Sequence, residues 1–323
     1  IVYGMPGWGL YTRSRHDRYY PRLGDAILVE TLFIGLSVGS ILLLVALGLA
    51  ITYGAMGVIN MAHGELLMIG AYTAVLMQVY LGLGMLFAIP VAFCTSAAVG
   101  FAIEKFVVKR LYGRLLDTLL ATWGISILLQ QFIRLEFGLA FFDIHIEGLG
   151  PGLQNAPIPD FLQGAIDIGG STIPIFRAFI LGVALSLTAI TWVLVYRTSF
   201  GVQLRAVTKN ADMAAACGIN VSRIYMYSFA YGSGLAGVAG VLLAGFKTVM
   251  PSMGTSYVID GFMVVVVGGL GSLLGTFISA GFLGQLNVLF ASYSNDIIAR
   301  AAVFAAVILI ILWRPKGLFS HKG

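Results

Sequence analysis

Charged residues are scarce in this sequence, and their scarcity excludes a soluble globular protein. Of the 323 residues, 10% are charged and 59% are hydrophobic, whereas a soluble domain carries about 25% charged residues. No Lys, Arg, Asp or Glu occurs from Thr31 to Gly64 or from Leu66 to Ile103. Runs of this length cross a bilayer as helices, so the sequence predicts an all-α polytopic membrane protein.

Several chemical signatures are absent as well. The two cysteines, Cys94 and Cys217, do not make a disulfide framework. The sequence has no G-x-x-x-x-G-K-[ST] motif, so any ATP that drives this protein must be bound by another chain. No His, Cys or acidic residues have metal-ligand spacing, and no Ser/His/Asp set indicates a nucleophile. We therefore expect a chain that is not an enzyme and binds no metal, cofactor or nucleic acid.

Glycine is abundant, with 41 residues, and one glycine motif is misleading. The segment Gly232–Gly237 matches the dinucleotide fingerprint G-x-G-x-x-G, which needs a preceding strand and a following acidic residue. Here the motif lies inside an apolar run, where small residues allow helices to approach closely. It therefore predicts helix packing.

Apolar runs of spanning length predict about eight or nine membrane helices, some broken by glycine or re-entrant. Residues 25–323 form the predicted transmembrane domain, and residues 1–24 form an N-terminal extension. The runs lie near residues 31–52, 65–82, 84–103, 118–139, 177–196, 224–246, 258–275, 276–293 and 297–313.

Basic residues predict the orientation of the chain. Lys and Arg are concentrated in the loops 104–117 and 197–223 and in the C-terminal tail. The loop 140–176 contains Asp and Glu but no Lys or Arg. The positive-inside rule therefore places the two basic loops and the C-terminus in the cytoplasm and the loop 140–176 outside. Counting helices back from these loops places the start of the first span outside the cell membrane. The arginines before that span instead favour a start on the cytoplasmic side. The side of the N-terminus stays open.

A polar cluster interrupts the apolar sequence at Asn60, His63 and Glu65. Broken backbone at membrane depth exposes unpaired peptide groups, which are tolerated only against protein or a wet cavity. One interpretation is a gate on a transport pathway, in which His63 and Glu65 share a hydrogen bond or proton. The alternative is that both residues lie at a cytoplasmic helix start, where Glu65 satisfies the helix N-terminus.

A second glycine-rich break is predicted at Val267–Gly275, with Gly269 and Gly271 as further gate candidates. Paired glycine-interrupted segments in the two halves of a transporter point to its pathway. The alternative is that these glycines only allow close packing.

A polar stripe is predicted on the fourth span. Thr122, Ser126 and Gln130 recur every fourth residue, so they share one helix face. This face offers hydrogen-bonding groups without charge, which suits a small neutral solute. The same residue types also join membrane helices to one another, and that interpretation stays open.

The loop 198–223 has the pattern of two short surface helices. Asn210 is a good N-cap, Asp212 favours the helix start, and Gly218 ends the helix. Small residues on its exposed face would fit a groove of a partner protein. The predicted coupling residues are Arg205, Asn210, Asp212, Met213, Ala214, Ala215, Cys217 and Gly218.

Two segments resemble a known family. Residues 198–220 are similar to the ATPase-coupling loop of permeases of branched-chain amino-acid ABC importers, and Gly57–Tyr72 resembles the N-x-A-H-G-E-x-x-x-x-G-A-Y block of its LivH-type subunits. The resemblance runs from about Leu32 to Gly323, within the wider LivH/RbsC-like group. Further stretches look closer to the urea-importer branch of UrtB type, namely 121–126 with 130–131, 232–240, 260–276 and 313–319.

The resemblance implies a multi-pass permease subunit in the bacterial inner membrane. It would pair with a second homologous permease, bind two cytoplasmic ATPase subunits that hold the ATP, and receive solute from a periplasmic binding protein. The solute implied by the closer branch is urea, carried from periplasm to cytoplasm. The alternatives are a branched-chain amino-acid or short-amide importer and, third, a passive channel for small solutes.

Overall fold

The computed structural model describes residues 23–168, 171–315 and 317–319, so the predicted extension 1–24 lies almost wholly outside them. The described chain is mainly helical, with one antiparallel β-hairpin. Its helices are α1 (Leu23–Met56), α2 (His63–Leu81), α3 (Met85–Phe106), α4 (Leu115–Arg134), α5 (Ile175–Arg197), α6 (Ser199–Lys209), α7 (Ala211–Ala216), α8 (Val221–Ala244), α9 (Met253–Gly268), α10 (Leu273–Tyr293) and α11 (Asp296–Trp313). Its strands are β1 (Ala165–Ile168) and β2 (Ser171–Pro174).

Among the described residues, seven helices are long and apolar enough to cross a membrane. They are α1 to α5, α8 and α10. The helices α9 and α11 are apolar but shorter. Together they agree with the expected eight or nine spans, and the protein is an all-α multi-pass membrane protein.

The helical bundle has two distinct ends. Helix α5 has 23 residues and joins the β-hairpin to α6, and a helix of that length is about 34 Å long, enough to cross the bilayer. We call the end with β1 and β2 the hairpin end and the end with α6 and α7 the coupling end. The basic loops lie at the coupling end, where Tyr112 contacts Tyr225 near the start of α8.

Helix α1 starts at the hairpin end. Ile34, near its start, and Arg177, at the start of α5, line one cavity. Gly54, near its end, lies beside Gly271 at the opposite side of the bundle. Helix α1 therefore runs from the hairpin end towards the coupling end, the direction that helix counting gives it relative to the basic loops. The side of the membrane on which it begins stays a prediction.

Helix α8 lies at the centre of the bundle and packs against α1, α2 and α3. Its glycines face the neighbouring helices directly. A Cβ at Gly232 would lie 2.6 Å from the carbonyl oxygen of Gly48, and a Cβ at Gly237 would lie 2.6 Å from that of Ala92. The G-x-G-x-x-G sequence is therefore a packing motif, as predicted.

Two predicted spans have wrong bounds. The run 258–275 is not one span, because α9 ends at Gly268 and α10 begins at Leu273. The run 118–139 ends early, because α4 stops at Arg134 and a 3-10 turn follows over Glu136–Phe142. Glu136 and Phe137 have φ values of +50° and +60° there, a left-handed backbone that cannot continue an α-helix.

Candidate functional site

The chain turns back into the bundle between α1 and α2. Helix α1 ends at Met56, and α2 begins at His63, whose Nε2 lies 3.1 Å from the carbonyl oxygen of Val45. Val45 lies eleven residues before Met56, which is about 16 Å back along the helix. The segment 57–62 is therefore re-entrant, and α2 starts well inside the bundle, as the first predicted break requires.

The N-terminus of α2 meets the N-terminus of α9. A Cβ at Gly64 would lie 2.6 Å from the carbonyl carbon of Gly254, and a Cβ at Gly254 would lie 3.0 Å from the amide nitrogen of Glu65. Helix α9 follows the segment 245–252, in which Val249 pairs with Gln154 of the hairpin-end loop. The structural counterpart of the first break is therefore 245–252.

The helix is broken within Val267–Gly275, as predicted, because α9 ends at Gly268 and α10 begins at Leu273. This break is not the counterpart of the first one, however. Gly269 and Gly271 form a tight turn between α9 and α10, with φ values of +97° and +83°. Ser272 caps α10 by accepting a hydrogen bond of 3.1 Å from the Gly275 amide. The physical reason is that glycine permits a positive φ in short connections between helices. A gate function for Gly269 and Gly271 stays an untested prediction.

Helix α4 docks on this junction through hydrogen bonds to Glu65. The Ser126 hydroxyl and the Gln130 amide each donate to Glu65 Oε1 at 2.9 Å. Thr255, next to Gly254 on α9, donates to the same oxygen at 3.4 Å. One turn lower, Thr122 Oγ1 accepts from the Met61 amide at 3.1 Å. We call this set, Glu65, Thr122, Ser126, Gln130 and Thr255, the polar seam.

The polar residues of the α4 stripe form hydrogen bonds with other residues of the same chain. Thr122 and Ser126 are buried, and their hydroxyls bond to the re-entrant segment and to Glu65. The hydrogen bonds match the interpretation that these residues join helices. The idea that the stripe presents free groups to a neutral solute is not supported. Glu65 also lies at two converging helix N-termini, where a negative charge is stabilised.

His63 and Asn60 organise the start of α2. Asn60 Oδ1 accepts a hydrogen bond of 3.0 Å from the Ala62 amide. Because the Val45 carbonyl can only accept, His63 donates to it through Nε2. His63 and Glu65 share no hydrogen bond in the described structure, and both lie in the first turn of α2, as the helix-start alternative expects. That alternative placed the helix start in the cytoplasm, whereas α2 begins inside the bundle.

Four buried polar atoms near this junction have no hydrogen-bond partner among the described residues. They are Asn60 Nδ2, His63 Nδ1, Glu65 Oε2 and the Tyr72 hydroxyl. Buried groups of this kind are uncommon in native proteins, because each costs free energy. They identify the junction as the least satisfied polar region of the described core.

Sequence reasoning missed Gly254 and Thr255. Neither residue is charged, and both lie between the predicted spans 224–246 and 258–275. A usable signal was present at 251–254, where Pro, Ser, Met and Gly follow the basic Lys247. Proline and glycine together mark a break in helical backbone.

The two predicted surface helices are confirmed at the coupling end. Asn210 caps α7 by accepting from the Met213 amide at 2.9 Å, and Gly218 follows α7 with a φ of +84°. Arg205 of α6 donates to the Val195 carbonyl oxygen and lies 5.3 Å from the Tyr196 ring. Arg205 therefore fixes α6 to the end of α5, and its side chain is engaged within the chain.

The α7 surface is partly as predicted. Met213 is 64% exposed, and Asp212, Ala215 and Cys217 are exposed as well. Ala214 is buried, and the expectation that it lies on the exposed face was wrong. The physical reason is that a short surface helix must turn one side towards the protein, and Ala214 lies on that side. The coupling function of these residues stays a prediction.

Tyr112 links the neighbouring basic loop to the bundle. Its hydroxyl donates to Glu104 at the end of α3, and its ring packs edge-on against Tyr225 of α8, with centroids 5.0 Å apart. Burial, and then the neighbouring Glu104 carboxylate, raise the pKa of the Tyr112 hydroxyl. The tyrosine therefore remains a neutral donor that holds the loop near the start of α8.

Comparison with known proteins shows the family. The family described as the permease component of a branched-chain amino acid transport system matches residues 31–312. The permease LivH of Escherichia coli is 30% identical, over 91% of this chain and 96% of its own length. BraD of Pseudomonas aeruginosa is 31% identical, also over 91% of this chain and 96% of its own length.

A second kind of permease is also similar. LivM of Escherichia coli is 27% identical, over 86% of this chain and 67% of its own length. LivH, BraD and LivM are all described as permease proteins of high-affinity branched-chain amino acid transport systems. With its helical membrane fold and its match over residues 31–312, this chain belongs to the LivH-like family of ABC-importer permease components, which are not enzymes.

Proposed function

We propose that this chain is one of two unlike permease subunits of an ABC importer for branched-chain amino acids. LivH and LivM of Escherichia coli are both similar to this chain and belong to the same named transport system. That similarity supports a second, homologous permease as partner. Two cytoplasmic ATPase subunits bind ATP, and a periplasmic protein delivers the amino acid.

The observation that carries this proposal is the arrangement of α6 and α7. Helix α7 presents Met213 and Ala215 to solvent and continues through Gly218 into α8. Of the seven helices long enough to span a membrane, α8 has the largest buried share, and it contacts α1, α2 and α3. A push on α7 therefore reaches the centre of the membrane domain through one continuous segment.

The cycle follows from this connection. Closure of the ATPases on ATP moves α6 and α7, and Arg205 carries this movement to α5 through the Val195 carbonyl. The packed helices rock between two arrangements, one open to each side of the membrane. In this orientation the coupling end and the C-terminus are cytoplasmic, in agreement with the positions of the basic loops.

The substrate proposal rests on the relatives. LivH, BraD and LivM transport branched-chain amino acids by description, and the urea assignment has no support from them. The urea prediction rested on the resemblance of several stretches to UrtB-type permeases. The uncharged α4 stripe was a secondary argument for it, and the groups of that stripe are engaged in the polar seam. The amino-acid alternative therefore fits better.

Reconstitution tests the proposal. The complex of both permeases and the ATPases is placed in liposomes with its binding protein, and uptake of radiolabelled leucine and urea is measured with and without ATP. We expect leucine uptake that needs ATP. Urea uptake without leucine uptake contradicts the substrate, and flux that is independent of ATP contradicts the importer.

A further inference from the structure

One buried carboxylate at the coupling end takes no part in the movements of α5 and α8. Glu104 lies two residues before the end of α3, and its side chain is completely buried. Among the described residues, no Lys, Arg or His lies within ion-pair distance of it. A buried carboxylate without an ion pair is costly, and in a membrane protein such a residue points to a function.

Glu104 has one hydrogen-bond donor for its two oxygens. The Tyr112 hydroxyl of the basic loop donates to Oε1, and Oε2 is buried with no partner among the described residues. The two oxygens of an ionised carboxylate are equivalent acceptors. The hydrogen bond can therefore pass from Oε1 to Oε2 without a net loss of hydrogen bonds. Glu104 thus offers the Tyr112 hydroxyl two acceptor positions.

The ring of Tyr112 connects this carboxylate to α7. It packs edge-on against Tyr225 in the first turns of α8, with centroids 5.0 Å apart. Helix α7 contacts α8, and its Asp212 carboxylate acts electrostatically on the Tyr225 hydroxyl. Asp212, Tyr225, Tyr112 and Glu104 therefore form one series of contacts from α7 to the end of α3.

The loop that carries Tyr112 is also attached to α4. A 3-10 turn over Val108–Leu111 precedes Tyr112, and the Thr118 hydroxyl near the start of α4 donates to the Leu111 carbonyl oxygen at 3.1 Å. Within the described chain, α4 packs mainly against this turn, against the turn that follows α4, and against α2. Because α4 has so few neighbours, a displacement of the loop moves α4 and with it the polar seam.

We propose that Glu104 is a positioning residue of the transport cycle, at which the Tyr112 hydroxyl passes from Oε1 to Oε2 when α7 moves. The loop then slides along the end of α3 and carries α4 with it. The movement of α7 thereby reaches the polar seam as well as α5 and α8. A slide from one oxygen to the other is of the size of many helix shifts in switching proteins, about 1–2 Å. This inference rests on the proposed function.

A fixed anchor is the alternative, in which Tyr112 stays on the same oxygen throughout the cycle. An anchor needs one acceptor, whereas the slide needs two. Glu104→Gln separates these roles, because its side chain keeps one acceptor oxygen and replaces the other by an amide nitrogen, which cannot accept. The variant therefore keeps the anchor and removes the second position.

The first test compares leucine uptake with ATP hydrolysis in liposomes that hold the complete complex and its binding protein. We expect Glu104→Gln to lower the leucine taken up per ATP at least about fivefold, with assembly and the midpoint of thermal unfolding not lowered. Tyr112→Phe removes the donor and lowers both the ratio and the midpoint. The matched control is Asp117→Asn, which removes an exposed ion pair with Arg114 beside the same loop and changes neither quantity.

A fluorine label on Tyr112 reports the slide itself. Site-specific incorporation places 3-fluorotyrosine at this position alone, and fluorine NMR spectra are recorded for the assembled complex in nanodiscs. The spectra compare the nucleotide-free complex with the complex trapped by ATP and vanadate, in which the ATPases are closed. We expect the resonance to shift on closure, and to shift far less when the label is combined with Glu104→Gln.

The outcomes that contradict the proposal are distinct. A wild-type ratio of leucine to ATP in the Glu104→Gln complex overturns it. A label whose resonance does not shift on closure, or shifts equally in the Glu104→Gln complex, overturns it as well and shows a fixed anchor. If the wild-type complex takes up no leucine with ATP, the proposed function is contradicted. Wild-type uptake together with an unaffected variant contradicts the role of Glu104 alone.

Discussion

The backbones of Gly64 and Gly254 lie in direct contact, so that the first turns of α2 and α9 touch without an intervening side chain. Each glycine is the second residue of its helix, and each helix follows a re-entrant segment. The contact therefore places two helix N-termini together inside the bundle, with Glu65 beside both.

This contact should be intolerant of any added carbon. Gly64→Ala and Gly254→Ala each place a methyl group against backbone that cannot rotate away, and we expect each to cost about 1–3 kcal/mol or more. Thermal unfolding of the purified complex measures the loss. Gly182→Ala in α5 is the control, because a Cβ there meets nothing within 4 Å; equal effects at all three sites would contradict the packing argument.

Glu65 should matter mainly as an acceptor. Glu65→Ala leaves the Ser126 and Gln130 donors without their acceptor, at about 1–3 kcal/mol for each buried group. Glu65→Gln keeps an oxygen in place and should lose less than half as much. The midpoint of thermal unfolding reports both variants. If the glutamine variant is as unstable as the alanine variant, the charge of Glu65 is the essential feature.

The neighbours Ala214 and Ala215 should behave differently, because one is buried and the other is exposed. Ala215→Arg is expected to lower the stimulation of ATPase activity by the loaded binding protein at least about tenfold, without a change in thermal stability. Ala214→Arg forces a charge into the packed side and should lower stability. Full stimulation of ATPase activity in the Ala215→Arg variant would contradict the prediction that α7 belongs to the coupling surface.

The hairpin-end loop should stiffen in mildly acidic solution. His145 Nδ1 lies 3.0 Å from Glu136 Oε1, and the Ile146 amide donates to the other oxygen. These hydrogen bonds lower the pKa of Glu136, and Glu136 raises the pKa of His145. The His145 contribution is complete below the ordinary pKa of 6.5 and is lost as pH rises through its raised pKa.

The Glu136 contribution has the opposite sign. It is complete above the ordinary pKa of 4.5 and is lost as pH falls through the lowered pKa. The hydrogen bonds that Glu136 makes with His145 and the Ile146 amide therefore stabilise the loop most between about pH 4.5 and 6.5. Amide hydrogen exchange over residues 136–146 should be slowest in that window, and His145→Gln should remove the minimum. A minimum that persists in the variant would assign it to other groups.

The sequence predicted the membrane class, the first break and the cap of α7, because each depends on local composition. Asn210 and Gly218 act within a few residues, so their roles could be read from spacing. Thr122, Ser126 and Gln130 were placed correctly on one helix face, but not against their partner. Ser126 and Gln130 donate to Glu65, and Thr122 accepts from the Met61 amide. These partners lie more than 60 residues away in the sequence, and only tertiary packing brings them together.

The counterpart of the first break could not be chosen from glycine content. Gly269 and Gly271 are conspicuous in sequence but serve a tight turn, whereas the structurally equivalent contact uses the single glycine Gly254. A glycine that permits a turn and a glycine that permits contact look alike in a sequence. They differ only in what lies opposite the missing side chain.

Helix α9 carries Thr255 and Asp260 five residues apart, and at 100° per residue they lie about 140° apart around its axis. One belongs to the polar seam, and the other forms an ion pair with Arg300 of α11. A rotation of this helix that pulls Thr255 from Glu65 must also swing Asp260 relative to Arg300. The hydrogen bond on one flank of α9 and the ion pair on the other are thus thermodynamically linked, and a change that weakens one alters the free energy of the other.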